Sequence, residues 1–250
     1  MDEWQLRPAR DLGLGPVQRF RSFERESGLV QTALHQIWWN LVRGYLSFGH
    51  GLKIIGREHI PVQPPFLLVA NHSSHLDALV LAAPLPSRLR DQVFPIAAGD
   101  VFFETPAIAA FAAGMLNALP MWRKKCGPHA LQQLRQRLLD EPCAYILFPE
   151  GARSRDGTML PFKPGIGMLV AGTPAPVVPC YLEGTFAALR PETRWPKLGE
   201  RITLRVGEPL IFDHVANKRE GWEEIARETR RSVEELGRLE RTPNRRRSER

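Results

Sequence analysis

The sequence has few cysteines and no long apolar run. Its three cysteines, Cys126, Cys143 and Cys180, are scattered and odd in number, which argues against a disulfide framework or a cysteine metal site and predicts a reducing compartment. No run of 18 apolar residues occurs, so no conventional membrane-spanning helix is predicted. The N-terminus, MDEWQLRPARD, lacks the apolar core of a signal peptide, so secretion is not expected.

Acidic residues are also outnumbered. The chain carries 34 Lys and Arg against 27 Asp and Glu, a net charge of +7. Residues 238–250 contribute much of the excess, because they hold six Arg against two Glu. A basic surplus favours anionic partners, which include nucleic acid, lipid headgroups and phosphorylated substrates. Charge alone does not choose among these partners.

Composition and periodicity divide the chain into four predicted segments. Residues 1–28 form a polar arm, 29–50 an amphipathic helical segment, 51–237 one folded domain, and 238–250 an Arg-rich tail predicted to be disordered. In the second segment, apolar residues recur every three or four positions: Val30, Leu34, Ile37, Leu41, Tyr45 and Phe48. Nearby tryptophans and sparse positive charge suit a helix lying in a membrane interface. A helix packed on the protein core explains the same pattern.

Strands alternate with helices in the central segment. Phe66–Ala70 (FLLVA) is continuously apolar, as expected of a strand buried on both faces. Strands are predicted at 52–56, 66–70, 93–97, 144–148, 177–182 and 202–206, and helices from about 77 and at 129–140, 166–171 and 222–236. This alternation predicts a single α/β domain with a mostly parallel or mixed central sheet flanked by helices. In such sheets the functional site lies at the carboxyl ends of the strands.

The first polar cluster, NHSSHLD, directly follows the strand at 66–70. On one continuous helix His72 and Asp77 would lie roughly 140° apart, so they can meet only across a strand-to-helix turn. An imidazole, with an ordinary pKa of ~6.5, can take a proton from a hydroxyl near neutral pH, and a carboxylate on its other nitrogen fixes the tautomer. An ordinary turn residue and helix cap is the alternative. His75 competes for the base role but is interpreted as structural, and neither neighbouring serine lies in a G-x-S-x-G elbow.

The second cluster, FPEGARSR, follows the predicted strand at 144–148. Gly151 permits close backbone approach, and Arg153 and Arg155 offer donor forks suited to phosphate. Glu150 can hold an acceptor hydroxyl or brace an Arg. Lys163 adds a cation before a helix start at Gly165, and helix starts bind anions. The alternative is a solvated charged turn.

These motifs resemble the PlsC-like glycerolipid acyltransferases, the family typified by 1-acyl-glycerol-3-phosphate acyltransferases. Four blocks occur in the family's order over about 110 residues. The matching residues are Asn71, His72 and Asp77 (N-H-x4-D); Phe148, Pro149, Glu150, Gly151, Arg153 and Ser154 (F-P-E-G-x-R-S); Phe162, Lys163 and Gly165 (F-K-x-G); and Val178 and Pro179 (V-P).

The family's second block is matched less well. Residues 98–102 lack the usual basic residue, while Pro106, Gly114 and Arg123 are candidates for its later positions. The resemblance associates this block with acceptor binding, so the departure leaves the acceptor open. The surrounding apolar stretch, 101–121, is compatible with an acyl channel, a dip into the bilayer or a buried helix, and Pro106 and Gly114 argue against one uninterrupted span.

The resemblance implies acyl transfer from acyl-CoA or acyl-carrier protein to the hydroxyl of a lysophospholipid. The default acceptor is 1-acyl-glycerol-3-phosphate, giving phosphatidate in phospholipid biosynthesis. His72 would deprotonate the hydroxyl, Asp77 would orient His72, and backbone N–H groups of the turn are candidate oxyanion donors. Substrate would contact Glu150, Gly151, Arg153, Ser154, Lys163 and Arg123, on a turn shaped by Asn71, Ser73, Pro149 and Gly165.

No cofactor and no metal are expected, and neither is nucleic acid. The expected location is a membrane surface, peripheral or monotopic, on the cytoplasmic face. Two enzymatic alternatives remain: transfer to a different lipid acceptor, and a thioesterase-like hydrolase that uses the same His/Asp pair on water. A non-enzymatic membrane or nucleic-acid binder would explain the basic tail but not the ordered blocks.

Overall fold

A computed structural model describes residues 13–15, 18, 29–98, 105–121, 128–193 and 195–239. The predicted arm therefore lies almost entirely outside the described residues, as does the tail from residue 240. The boundaries of the four predicted segments stay predictions.

Within the described residues, seven strands form one central sheet. They are β1 (Lys53–Ile55), β2 (Phe66–Ala70), β3 (Val93–Ala98), β4 (Leu119–Met121), β5 (Ala144–Leu147), β6 (Val177–Glu183) and β7 (Thr203–Val206). Their order is β1-β7-β6-β2-β5-β3-β4, and every neighbouring pair is parallel except β6 and β7. The predicted mostly parallel or mixed α/β sheet is confirmed. Only β4 was not predicted.

Helices cover both faces of the sheet. They are α1 (Leu29–Gly44), α2 (Asp77–Ala82), α3 (Ser87–Arg90), α4 (Pro106–Gly114), α5 (Pro128–Asp140), α6 (Gly165–Val170), α7 (Thr185–Ala188) and α8 (Arg219–Arg238). A π-helical turn, Tyr45–Gly49, prolongs α1, and a 3-10 turn occupies Arg57–His59. The predicted helices are present within a few residues of their expected bounds, whereas the short α3 and α7 were not predicted.

The core has two layers because side chains alternate along each strand. On one face, Leu68 and Ile146 pack with α1 and α2. On the other face, Leu67 and Tyr145 pack with α5, α6 and α8. Every residue of β2 is buried, as its uninterrupted apolar sequence predicted. The sheet is therefore a rigid platform covered on both sides, and its strand ends are what remain for function.

Helix α1 is apolar on two sides. Trp39, Val42 and Leu46 enter the core, so the helix does pack on the domain. Three residues of the predicted apolar stripe, Ile37, Leu41 and Phe48, are more than half exposed, whereas a fourth, Tyr45, packs against the core. The contacts of Trp39 and Val42 support the core-packed interpretation, whereas the membrane-interface interpretation stays a prediction.

The apolar stretch at 101–121 is divided among short elements. Helix α4 begins at Pro106, where the Thr105 hydroxyl accepts a hydrogen bond from the Ile108 N–H. Ala109, Ala112 and Ala113 are buried, and Phe111 packs edge-on against Trp38 of α1 at 5.5 Å between ring centroids. Strand β4 follows, so this stretch joins the sheet. No helix among the described residues is both long enough and apolar enough to cross a bilayer.

Helices α6 and α8 approach so closely that Gly167 admits no side chain. A Cβ there would stand 2.3 Å from the Trp222 Cα and 2.7 Å from the Trp222 carbonyl oxygen, both backbone atoms. We expect Gly167→Ala to lower the free energy of unfolding by about 1–3 kcal/mol or more, since overpacking forces backbone shifts. Urea unfolding would measure the loss.

Gly114→Ala is the matched control, because a Cβ at the end of α4 meets nothing within 4 Å. We expect this control to change stability by less than about 1 kcal/mol. Equal effects of the two substitutions would contradict the close packing of α6 on α8.

Candidate active site

Two polar turns lie side by side at one edge of the sheet. The first follows β2 and the second follows β5, and these strands are parallel neighbours in register from Phe66–Ala144 to Val69–Leu147. Parallel neighbours end at the same edge, so the turns are brought together by strand pairing. A direct bond joins them, because the Ser154 N–H donates to the His72 carbonyl at 2.8 Å.

His72 and Asp77 meet across the turn between β2 and α2. The Asp77 Oδ2 accepts from the His72 Nδ1–H at 2.9 Å. The same oxygen accepts from the Ser73 N–H at 2.7 Å and the Ser74 N–H at 2.8 Å. Asp77 is completely buried and is the first residue of α2, where a negative charge is favoured by the helix dipole. The five-residue spacing thus becomes a tight turn wrapped around one carboxylate oxygen.

The His72 ring is fixed on one face as well as at one nitrogen. Phe148 stacks on it with centroids 4.1 Å apart and planes 17° from parallel. The side chain is 21% exposed, so reactants can reach it. Because Nδ1 is engaged by Asp77, Nε2 is the ring nitrogen left for proton transfer.

The Glu150 side chain is buried between the two turns and does not project toward solvent. Its Oε1 accepts from the His72 N–H at 2.8 Å, and its Oε2 accepts from the Leu160 N–H at 2.9 Å. Burial raises the pKa of Glu150 to about 7, against the opposing effect of these two donors. The structure therefore gives this carboxyl group a positioning role within the site.

Three cationic or potentially cationic side chains border the pair. Arg153 Nη1 contacts His75 Nε2, which must accept because a guanidinium only donates. Partial burial and the Arg153 cation lower the pKa of His75 to about 4, so His75 is neutral near pH 7. Lys163 lies against Gly151, where a Cβ would stand 2.5 Å from its Nζ. Gly151 also has a φ of 73°, a left-handed backbone conformation that favours glycine.

The remaining predicted turn residues are structural in their contacts. Asn71 bridges β2 to β6, because its Nδ2 donates to the Leu182 carbonyl and its Oδ1 accepts from the Leu182 N–H. The Ser73 hydroxyl lies 3.5 Å from the Thr185 hydroxyl. The Pro149 carbonyl accepts from the Lys163 N–H, and Gly165 begins α6. The Ser154 hydroxyl is bonded to Asp156.

Sequence reasoning missed how fully the turn uses its own N–H groups. Those of His72, Ser73 and Ser74 are all bonded to Glu150 or Asp77. The expectation that the turn's backbone would serve as oxyanion donors is therefore wrong for these three positions. It also missed the structural use of Leu160 and Leu182, whose backbone groups carry no signal in the sequence. Phe148 was identified only as the first residue of the F-P-E-G-x-R-S motif, and its stacking on His72 was not predicted.

Some predicted residues cannot be placed. Arg123 lies outside the described residues, as do 99–104, which hold most of the atypical second block. Within the described residues, no group of three or more His, Cys, Asp and Glu side chains is arranged to hold a metal ion.

Comparison with known proteins agrees with this geometry. A family model described as Acyltransferase matches residues 51–183, which include both polar turns and strands β1, β2, β3, β4, β5 and β6. The chain belongs to this acyltransferase family. The match ends before β7, so the last strand and α8 lie beyond the part of the chain that the family model covers.

Relatives of this acyltransferase include the human 1-acyl-sn-glycerol-3-phosphate acyltransferase alpha, 33% identical over 138 residues, which cover 54% of this chain and 46% of the relative. A Chlamydomonas reinhardtii 1-acyl-sn-glycerol-3-phosphate acyltransferase is 34% identical over 202 residues, 78% of this chain and 54% of that protein. The chain spans about half the length of the curated relatives it matches. The crystal structure of the Thermotoga maritima LPA acyltransferase PlsC superposes with a TM-score of 0.62 at 25% identity, covering 82% of this chain and 79% of that chain.

The raised pKa of Glu150 predicts a pH-dependent stability. The folded state binds its proton more tightly than the unfolded state, so the stabilisation is complete below pH about 4.5 and is lost as pH rises through about 7. Between these pH values we expect the free energy of unfolding of wild type to fall by about 2–3 kcal/mol relative to that of Glu150→Gln, at about 1.36 kcal/mol per pH unit. Urea unfolding from pH 4.5 to 8 would measure the difference.

Glu208→Gln, which removes an exposed carboxyl group, is the control. Its free energy of unfolding should change with pH as that of wild type does. Identical pH dependences in wild type and Glu150→Gln would contradict a buried, tightly proton-binding Glu150.

Proposed function

We propose that this acyltransferase moves a fatty acyl group from a thioester donor to the free hydroxyl of a lysophospholipid. The observation that carries the proposal is the His72–Asp77 pair, which holds a reachable imidazole nitrogen beside cations on the adjoining turn. A base with a fixed tautomer is what an attacking hydroxyl needs.

The chemistry follows from these positions. His72 Nε2 takes the proton of the acceptor hydroxyl while its oxygen attacks the thioester carbonyl carbon. Asp77 stabilises the resulting imidazolium through the Nδ1–H bond. The tetrahedral intermediate then collapses, the carbon–sulfur bond breaks, and the proton on His72 passes to the leaving thiolate. The product is an ester and a free thiol, with no covalent enzyme intermediate, cofactor or metal required.

The acceptor is proposed to carry a phosphate. Arg153 and Lys163 place two positive charges at the same edge as His72, and Arg153 is oriented by His75. A planar guanidinium suits bidentate phosphate binding. Together with the activities for which the relatives are named, this favours 1-acyl-glycerol-3-phosphate as acceptor and phosphatidate as product, in phospholipid biosynthesis. Either acyl-CoA or acyl-carrier protein can serve as donor.

The proposed location is a membrane surface on the cytoplasmic side, with peripheral or monotopic attachment and no nucleic acid partner. The exposed stripe of Ile37, Leu41 and Phe48 on α1 and its π-helical turn supports this location. Such a stripe on a helix that is held to the domain by its other face can lie in the headgroup region.

A thiol-release assay with purified protein and acyl-CoA tests the proposed reaction. We expect thiol release to depend on added lysophosphatidate and the lipid product to be phosphatidate by mass. Acceptor-independent release would instead show a hydrolase acting on water, and transfer only to other lysolipids in an extract would overturn the proposed acceptor.

Asp77→Asn tests the mechanism separately from the fold. The amide oxygen can still accept the backbone N–H groups of Ser73 and Ser74, so we expect a folded protein. Transfer should fall by about 10³–10⁴-fold, because the neutral amide no longer stabilises the imidazolium. Steady-state kinetics and circular dichroism would measure activity and fold.

Asp213→Asn serves as the control, because this carboxylate is exposed and lies far from the site. It follows Leu210, which pairs with Val177 at the end of β6 opposite to the active site. It should retain wild-type rates. Full activity of a folded Asp77→Asn protein would exclude the proposed role of the pair.

A further inference from the structure

An exposed apolar turn lies near the active site and takes no part in the proposed chemistry. It comprises residues 195–199, Trp-Pro-Lys-Leu-Gly, and is called here the 195–199 turn. Trp195 is 83% exposed and Leu198 68% exposed. Two large apolar side chains exposed to water on one turn indicate a surface that contacts something else.

The turn lies at the catalytic edge of the sheet. Strand β6 is parallel to β2, so the chain leaving β6 emerges where His72 follows β2. The segment after β6 is bonded to the catalytic turn, because the Ser74 hydroxyl donates to the Leu189 carbonyl at 2.8 Å. The Lys197 N–H in turn donates to the Ala188 carbonyl at 2.7 Å. The position of the 195–199 turn is therefore coupled to that of the catalytic pair.

The same turn abuts the end of the α1 stripe. The Gly199 N–H donates to the Gly49 carbonyl at 2.8 Å. The Leu198 side chain fills the space beside Gly49, where an added Cβ would stand 3.2 Å from its Cδ2. Phe48, the neighbour of Gly49, is 95% exposed. Two segments about 150 residues apart in sequence thus place exposed apolar side chains next to each other at the catalytic edge.

The charge around the turn selects the kind of partner. Residues 190–201 hold four basic residues (Arg190, Arg194, Lys197 and Arg201) and two acidic ones (Glu192 and Glu200), a net charge of +2. Lys197 is exposed between Trp195 and Leu198. Tryptophan is enriched at membrane–water interfaces, and lysines beside apolar residues reach anionic headgroups. An exposed apolar turn that carries a lysine, in a segment of net positive charge, fits an anionic bilayer.

We propose that the 195–199 turn is a second membrane anchor, which inserts Trp195 and Leu198 into the headgroup region of an anionic phospholipid bilayer beside the α1 stripe. This inference deepens the proposed membrane association and rests on it for the occupant. Two membrane contacts at one edge fix the orientation of the domain on the bilayer. A domain attached through one amphipathic helix alone can rotate about the axis of that helix. The anchor holds His72 toward the leaflet from which a lipid acceptor would come.

Sedimentation of the chain with vesicles tests the anchor. One set of vesicles is pure phosphatidylcholine, and the other contains roughly 30% phosphatidylglycerol, so that the two sets differ in anionic charge. We expect the double variant W195S/L198S to bind the anionic vesicles about tenfold more weakly than wild type, since it removes apolar surface from the interface. Ile211→Ser is the matched control, because it also removes a half-exposed apolar side chain. Its neighbour Leu210 pairs with Val177, at the end of β6 that lies away from the 195–199 turn. This control variant should bind like wild type.

Thermal unfolding checks that the variants are folded, and Trp195→Phe supplies a conservative second variant. Quenching of tryptophan fluorescence by brominated lipids should fall in Trp195→Phe, provided that Trp195 enters the headgroup region. Unchanged vesicle binding in W195S/L198S or unchanged quenching in Trp195→Phe would overturn the anchor. A change from dimer to monomer in W195S/L198S, without weaker vesicle binding, would assign the surface to a second copy of the chain.

Activity separates this inference from the proposed reaction. With lysophosphatidate dispersed below its micellar concentration, W195S/L198S should transfer acyl groups at the wild-type rate, whereas with acceptor embedded in vesicles it should be slower by the loss in binding. Absence of transfer in wild type would refute the proposed function while leaving the vesicle-binding result valid.

Discussion

One carboxylate oxygen organises the active site of this protein. The Asp77 Oδ2 accepts three hydrogen bonds, from the His72 ring and from the backbone of Ser73 and Ser74. Because the carboxylate is fully buried, its charge is compensated by these donors and by the start of α2. The same oxygen that bends the chain between strand and helix therefore orients the ring of His72, the proposed base. Folding of the turn and preparation for catalysis are one event here.

The second turn is matched to the first by the sheet. Parallel pairing of β2 with β5 brings Glu150 under the His72 backbone and Phe148 over the His72 ring. Each contact removes one freedom of the imidazole: the carboxylate of Asp77 sets its tautomer, the stacked ring sets its plane, and Glu150 holds its backbone. Preorganisation of this kind lowers the entropy cost of reaching a reactive geometry. The cost is a buried carboxyl group with a raised pKa at Glu150.

The same edge of the sheet collects the exposed apolar features that are proposed to face lipid. The exposed side of α1 and the chain after β6 meet at Gly49 and Gly199, and both are joined to the site through the backbone. A soluble acyl donor and a membrane-embedded acceptor would have to meet at one place, and an edge formed by strand ends allows both to approach. Helices on both faces leave that edge as the open side of the domain.

Local sequence determined much of the fold. Uninterrupted apolar runs marked β2 and β5, since a strand buried on both faces has no polar side, and the motif residues pointed to the His72–Asp77 pair and to the cations Arg153 and Lys163 that are proposed to bind phosphate. Strand β4 was missed because three residues carry too little pattern. Ile37, Leu41 and Phe48 of the predicted stripe are exposed, because periodicity cannot say which side of a helix meets the core. Only the tertiary structure decided that Glu150 is held by two backbone N–H groups, that His75 orients Arg153, and that the 195–199 turn adjoins α1. These depend on backbone atoms and on contacts between residues far apart in sequence, which no local pattern encodes.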